Sequence, residues 1–119
     1  MKLTIPTRIA EILFALAFAV FGLLHLKYAS GFKAGVPSFM PGDQSIWVYI
    51  TGIGFLAAAI AIIINKYKKL ACYLLAVMLI IFVLTIHLMP AIKDHNYPQL
   101  LKDGALAMAA IVIGNNASK

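Results

Sequence analysis

Apolar positions along this chain gather into four long runs and do not alternate as strands would. The first extends from Ile9 to Leu26 and on to Tyr28, the second from Ile46 to Ile64, and the third from Leu70 to Pro90. The second and third contain no charged residue. The fourth, Tyr97 to Gly114, is interrupted near its start by Lys102 and Asp103. An α-helix needs about 20 residues to cross roughly 30 Å of hydrocarbon, and each run approaches that length. The pattern predicts helices over 9–28, 46–64, 70–90 and 97–114, joined between the first two by a segment, 29–45, that is too polar to span and too apolar for a plain loop.

Composition narrows the class. Of 119 residues, 63% are hydrophobic and 12% are charged, and the mean hydropathy is +0.95. A soluble domain carries about 25% charged residues. A single cysteine, Cys72, excludes a disulfide framework. The expected fold is therefore all-α, a polytopic integral membrane protein with four transmembrane helices in one domain and an interfacial outer segment between helices 1 and 2. Lys2 and Arg8 before the first run, with Ala29-Ser30-Gly31 after it, resemble a signal peptide, but the apolar stretch is too long for one.

The net charge of +6 changes the picture only through its placement. Basic residues sit in short clusters between apolar runs, which excludes a nucleic-acid-binding face and sets an orientation. With four spans, Lys2, Arg8, Lys66, Lys68, Lys69 and Lys119 share one side, and Lys27, Lys33, Lys93 and Lys102 share the other with Asp43, Asp94 and Asp103. Both termini are expected to be cytoplasmic.

Helices in lipid pack through small residues that allow close backbone approach. At ~100° per residue, one face of helix 1 carries Arg8, Glu11, Ala15, Ala19, Gly22 and His25. The same construction groups Thr51, Gly54, Ala58 and Ala61 on helix 2, and Asp103, Ala107, Ala110 and Gly114 on helix 4. On helix 3, His87 is placed over Val83, Ile80 and Ala76. Arg8 and Glu11 have the i, i+3 spacing of a pair at a helix start.

By depth, His25, Thr51, His87, Lys102 and Asp103 all fall in the outer third of the bundle. Ionisable residues at such depth are costly and point to function. Two readings are open. Lys102 snorkels, Asp103 is a helix N-terminal charge and the histidines are satisfied locally, or these five residues read the polar head of a ligand. Pro37, Phe39, Met40 and Pro41 in the outer segment then form a lid over the cluster.

Candidate chemistries were weighed against these residues. Cys72 has no second cysteine for thiol redox, and no phosphate loop, dinucleotide fingerprint or hydrolase motif is present. His25 and His87 could face one another across a haem, with no attachment motif to support it. The potential ligands are too few for structural zinc, so no metal site is expected. A transporter of this size would have to oligomerise.

Phe21-Gly-Leu-Leu-His25, Val36-Pro-Ser-Phe-Met-Pro41, Val48-Tyr-Ile-Thr-Gly-Ile53, Thr85-Ile-His-Leu88 and Leu101-Lys-Asp-Gly-Ala-Leu106, in that order, resemble the DoxX-like small membrane proteins of bacteria. The resemblance covers nearly the whole chain. It implies a four-helix protein of the bacterial inner membrane, surrounded by lipids and with a protein partner or a second copy as its company. The sequence departs from the pattern at Phe55, where relatives often carry Glu, and at Thr85, where they often carry Asn. Some relatives are named for subunits of a quinone-coupled sulfur oxidation system. The implied function is an accessory module binding a hydrophobic ligand, a quinone or a lipid, or docking a partner near the outer leaflet. The alternative is a membrane subunit of a quinone-linked oxidoreductase.

Overall fold

A computed structural model of the chain describes residues 5–33, 36, 38–95 and 97–117, with the backbone alone at His87, Met89 and Pro90. The described residues form helices and turns, and no strand occurs among them. Helix α1 covers Thr7–Lys27 and is followed after Tyr28 by a single turn, α2, Ala29–Phe32. Helix α3, Gln44–Ile64, opens on Asp43, whose side chain accepts from the Ser45 backbone N–H at 2.9 Å. That bond satisfies one of the donors a helix start leaves without a partner.

The return from α3 is tight. Asn65 (φ 61°) and Tyr67 (φ 56°) both adopt the left-handed conformation, and α4 starts at once, Lys68–Phe82. Asn is among the residues that accept this conformation most readily. Beyond Phe82 the helix widens into a π turn, Val83–His87, and continues as α5, Leu88–Asp94. Helix α6, Pro98–Asn115, carries proline at its first position, where no N–H is needed.

The third apolar run therefore does not stop at Pro90 as expected. Proline has no N–H to give the carbonyl four residues back and would crowd it in a regular helix. The wide turn, Val83–His87, ends two residues short of it and includes the position four residues back, Ile86. A π bulge is one of the few devices by which a helix absorbs such an interruption.

Three stretches, Thr7–Lys27, Gln44–Ile64 and Lys68–Ile86, are long and apolar enough to cross a membrane. Helix α6 is set apart from them by Lys102 and Asp103 in its first turns. The outer surface of all four rods is aliphatic: Leu13, Leu16, Val20, Ile50, Ile60, Leu74 and Val112 are among the exposed residues.

The rods pack as two close pairs. Helix α1 lies against α3 at Gly22 and Gly52, where a methyl group added at 22 would sit 2.8 Å from the Gly52 carbonyl oxygen. Helix α4 lies against α6 at Gly114, where an added methyl would come within 2.7 Å of the Tyr73 ring. Ala15, Ala59, Ala107 and Ala110 keep the seams narrow, and Phe18, Ile62, Leu75 and Leu79 fill the space between the pairs.

The inward faces differ in part from those expected. On α6 all four expected residues, Asp103, Ala107, Ala110 and Gly114, are buried. On α3 the buried set is Val48, Gly52, Phe55, Ala58, Ala59 and Ile62, a rotation of about 100° that leaves Gly54 half-buried beside Met78. Small residues are used there for approach to α1, while a large ring, Phe55, fills the centre. On α4 the buried residues are Cys72, Leu75, Ala76 and Leu79, and Ile80 is exposed. A face extrapolated at 100° per residue loses its register across the π turn, and the expected stack of His87 over Ile80 involves a side chain outside the described residues.

Candidate functional site

At the end of the bundle where α1 begins and α6 ends, Arg8, Glu11 and Lys68 engage one another. Lys68 Nζ donates to both carboxylate oxygens of Glu11, at 2.9 and 3.1 Å, and Arg8 Nη1 lies 3.4 Å from the same carboxylate. Arg8 also donates to the backbone oxygens of Ile62, at 2.7 Å, and of Ile63. Those two carbonyls close α3, where the helix dipole favours a cation. The buried Glu11 carboxylate thus ties α1 to the start of α4, and Arg8 beside it ties α1 to the end of α3. The i, i+3 pair was visible in the sequence. The stronger partner, Lys68, stands 57 residues away and was not.

The opposite end is hollow. A cavity of about 470 Å³ opens between α1, α3, the α4 rod and α6. His25, Thr51, Lys102 and Asp103, four of the five residues singled out above, line it together. Asp103 is buried and is engaged by a neighbour. The side chain of His87 lies outside the described residues, although Thr85 and Ile86 of the same π turn form part of the wall.

His25 is held in one tautomer. Its Nδ1 lies 2.7 Å from the Phe21 carbonyl oxygen, which can only accept, so Nδ1 carries the proton and Nε2 is the acceptor of the neutral ring. The imidazole stacks on Phe32 at 4.2 Å and 11° and meets Phe55 edge-on at 5.2 Å. Thr51 donates to the Trp47 carbonyl at 2.9 Å and keeps its oxygen lone pairs. Lys102, on an exposed position, lays its ammonium 5.4 Å above the Phe21 ring and so bridges α6 to α1.

The rest of the lining is apolar and was missed because the sequence reading followed small and ionisable residues. Phe18, Phe55 and Phe82 form a run of tilted rings, with Phe18 to Phe55 at 5.2 Å and Phe55 to Phe82 at 6.4 Å. The cover also differs from the expected lid. Phe32 of α2, Val36 and Met40 line the cavity, while Phe39 is 72% exposed and absent from the lining. Pro41 contributes its carbonyl, which accepts from Trp47 Nε1 at 2.8 Å, and Pro37 lies outside the described residues. What covers the mouth is set by these bonds: Gln44 holds the Val36 carbonyl, and Trp47 holds that of Pro41.

Chemically, the site offers an apolar chamber with one imidazole acceptor, two hydroxyls, one amide, one ammonium and one carboxyl among its lining groups. Such a set can bind and orient an amphiphile. Cys72 is buried in the other half of the α4 rod, near Lys68, and takes no part in the lining.

Residues 14–115 match the family described as Domain of unknown function (DUF8561), and the chain belongs to that family. No curated protein and no solved structure matches it.

Proposed function

We propose that this protein is an integral membrane protein of the bacterial inner membrane, crossing it with α1, α3, the α4 rod and α6, and that its cavity binds a hydrophobic ligand bearing a polar head, a quinone or a lipid. The aliphatic surface of the rods and their lengths support the spanning reading. Arg8, Lys66, Lys68 and Lys69 gather at the end where α1 begins and α6 ends, which favours a cytoplasmic position for that end. Kinship with the DoxX-like proteins is part of this proposal. Phe55 and Thr85, where the chain departs from that pattern, both line the cavity, and a phenyl ring in place of a carboxylate favours an apolar occupant.

The observation that carries the binding reading is the convergence of His25, Thr51, Lys102 and Asp103 on one apolar cavity. Native mass spectrometry of protein released from mild detergent tests it. The expected spectrum shows a retained small-molecule mass that is lost in His25→Ala and in Asp103→Asn. A bare chain, or a mass that both variants keep, counts against the cavity as a ligand site.

A further inference from the structure

Among the described residues two lysines reach a carboxylate, and two others, Lys27 and Lys102, lie over an aromatic ring, of which only Lys102 lines the cavity. Lys68 pairs with Glu11, and Lys33 lies 4.0 Å from Asp43. Lys102 does not: among the described residues its ammonium reaches no carboxylate within ion-pair distance, Asp103 next to it included, and rests on the Phe21 ring instead. It is exposed and at the same time lines the cavity, which puts it at the mouth.

A cation over an aromatic face keeps most of its donors available, because the ring attracts it through its quadrupole without accepting a directed hydrogen bond. Behind Lys102 the wall is Phe21, Phe18, Phe55 and Phe82. An uncompensated ammonium at the entrance to an apolar chamber is complementary to one kind of molecule, an acidic head on a long apolar body. In the neutral ring His25 Nε2 is an acceptor, and the Thr51 hydroxyl spends its proton on the Trp47 carbonyl, so the donors left for such a head are the Gln99 amide and the Lys102 ammonium, of which only the ammonium carries a positive charge.

We infer that the cavity selects anionic amphiphiles, a fatty carboxylate or a single-chain lipid phosphate, with Lys102 reading the acidic head. This rests on the ligand-binding reading above and adds the sign of the ligand's charge. Phe21 is the positioning residue, since it holds the ammonium at the mouth rather than letting it extend away.

The full chain in a non-ionic detergent is titrated with oleate, oleoyl lysophosphatidic acid and oleyl alcohol, and binding is followed by native mass spectrometry. Retention of at least one of the two acids about tenfold tighter than the alcohol is expected, because a hydrogen bond to a charged group contributes more than a neutral one. Which acid binds more tightly distinguishes a carboxylate from a phosphate head. Lys102→Gln should abolish the preference, Lys102→Arg should keep it, and Lys93→Gln, an exposed lysine outside the lining, should leave it unchanged. Equal retention of alcohol and acids, or a preference that survives Lys102→Gln, overturns the inference while the cavity stands. Retention of none of the three by the parent chain overturns the inference and the cavity reading together.

Discussion

The two ends of this bundle are built from the same helices and both carry ionisable groups, yet one is sealed and the other is hollow. At the sealed end a single carboxylate, Glu11, takes Lys68 and Arg8, and Arg8 closes the last carbonyls of α3. At the hollow end His25, Thr51 and Lys102 turn to backbone carbonyls or a ring of their own or a neighbouring helix, and space is left between them. The difference lies in what separates the α1–α3 pair from the α4–α6 pair. Alanines and Ile62 allow the pairs to meet near the start of α1 and the end of α6, whereas Phe18, Phe55 and Phe82 stand between them further along. Rings of that size, packed tilted and edge-on, prop helices apart. Charge alone therefore does not make a site; charge beside unfilled apolar volume does.

The comparison can be broken most forcibly at the sealed end. Glu11→Gln leaves the half-buried Lys68 without its counter-charge; loss of one member of a fully buried pair costs on the order of 3–5 kcal/mol, and about 2–3 kcal/mol is expected here. Unfolding in detergent micelles should show that loss, and a change well under 1 kcal/mol would mean the ion pair does not hold this end. Next in size is Gly22→Ala on the seam that both ends share. The added methyl would meet the Gly52 carbonyl, so a cost of about 1–3 kcal/mol is expected by the same assay, with Gly31→Ala, which meets open space, as the tolerant control.

At the hollow end a smaller effect is expected from Trp47→Phe, which deletes the bond to the Pro41 carbonyl. About 0.5–1.5 kcal/mol should go, and limited proteolysis should find the 33–43 connection more accessible. Indifference of both readings would show that the cover is not held by Trp47.

The mildest test is acid. The Ser45 N–H bond first, and Lys33 second, hold the Asp43 carboxyl below its ordinary value of 3.8. A carboxyl lowered in the folded state stabilises it above that ordinary value, and the contribution disappears as the pH falls through the lowered one. Melting should therefore decline below about pH 4 through Asp43 in the parent chain and less steeply in Asp43→Asn, which keeps a capping oxygen. Parallel acid slopes for the two would remove Asp43 from the account.

Several features were legible before any coordinates. Runs of apolar residues free of charge announced helices long enough to span a membrane, because hydrophobic length is a local property. The small face of α6 was read correctly from Asp103 to Gly114, since one uninterrupted helix keeps its 3.6-residue period. That His25, Thr51, Lys102 and Asp103 would line one cavity was legible from depth alone, because they lie at comparable distances along helices of similar length. The rotation of α3 was misjudged because Gly52 and Gly54 both look like contact residues in sequence, and only the position of Gly22 on a neighbouring helix decides between them.

By itself, then, the sequence determined helix content, the length of the apolar rods and the distribution of charge along them, all of which follow from residue order within a few turns. The tertiary structure decided which groups meet across helices. Lys68 found Glu11, Lys102 found Phe21, and Phe32 rather than Phe39 came to line the cavity. Those outcomes depend on rotation about each helix axis and on the gap between helix pairs. Both are set by packing of side chains far apart in sequence, and no local period records them.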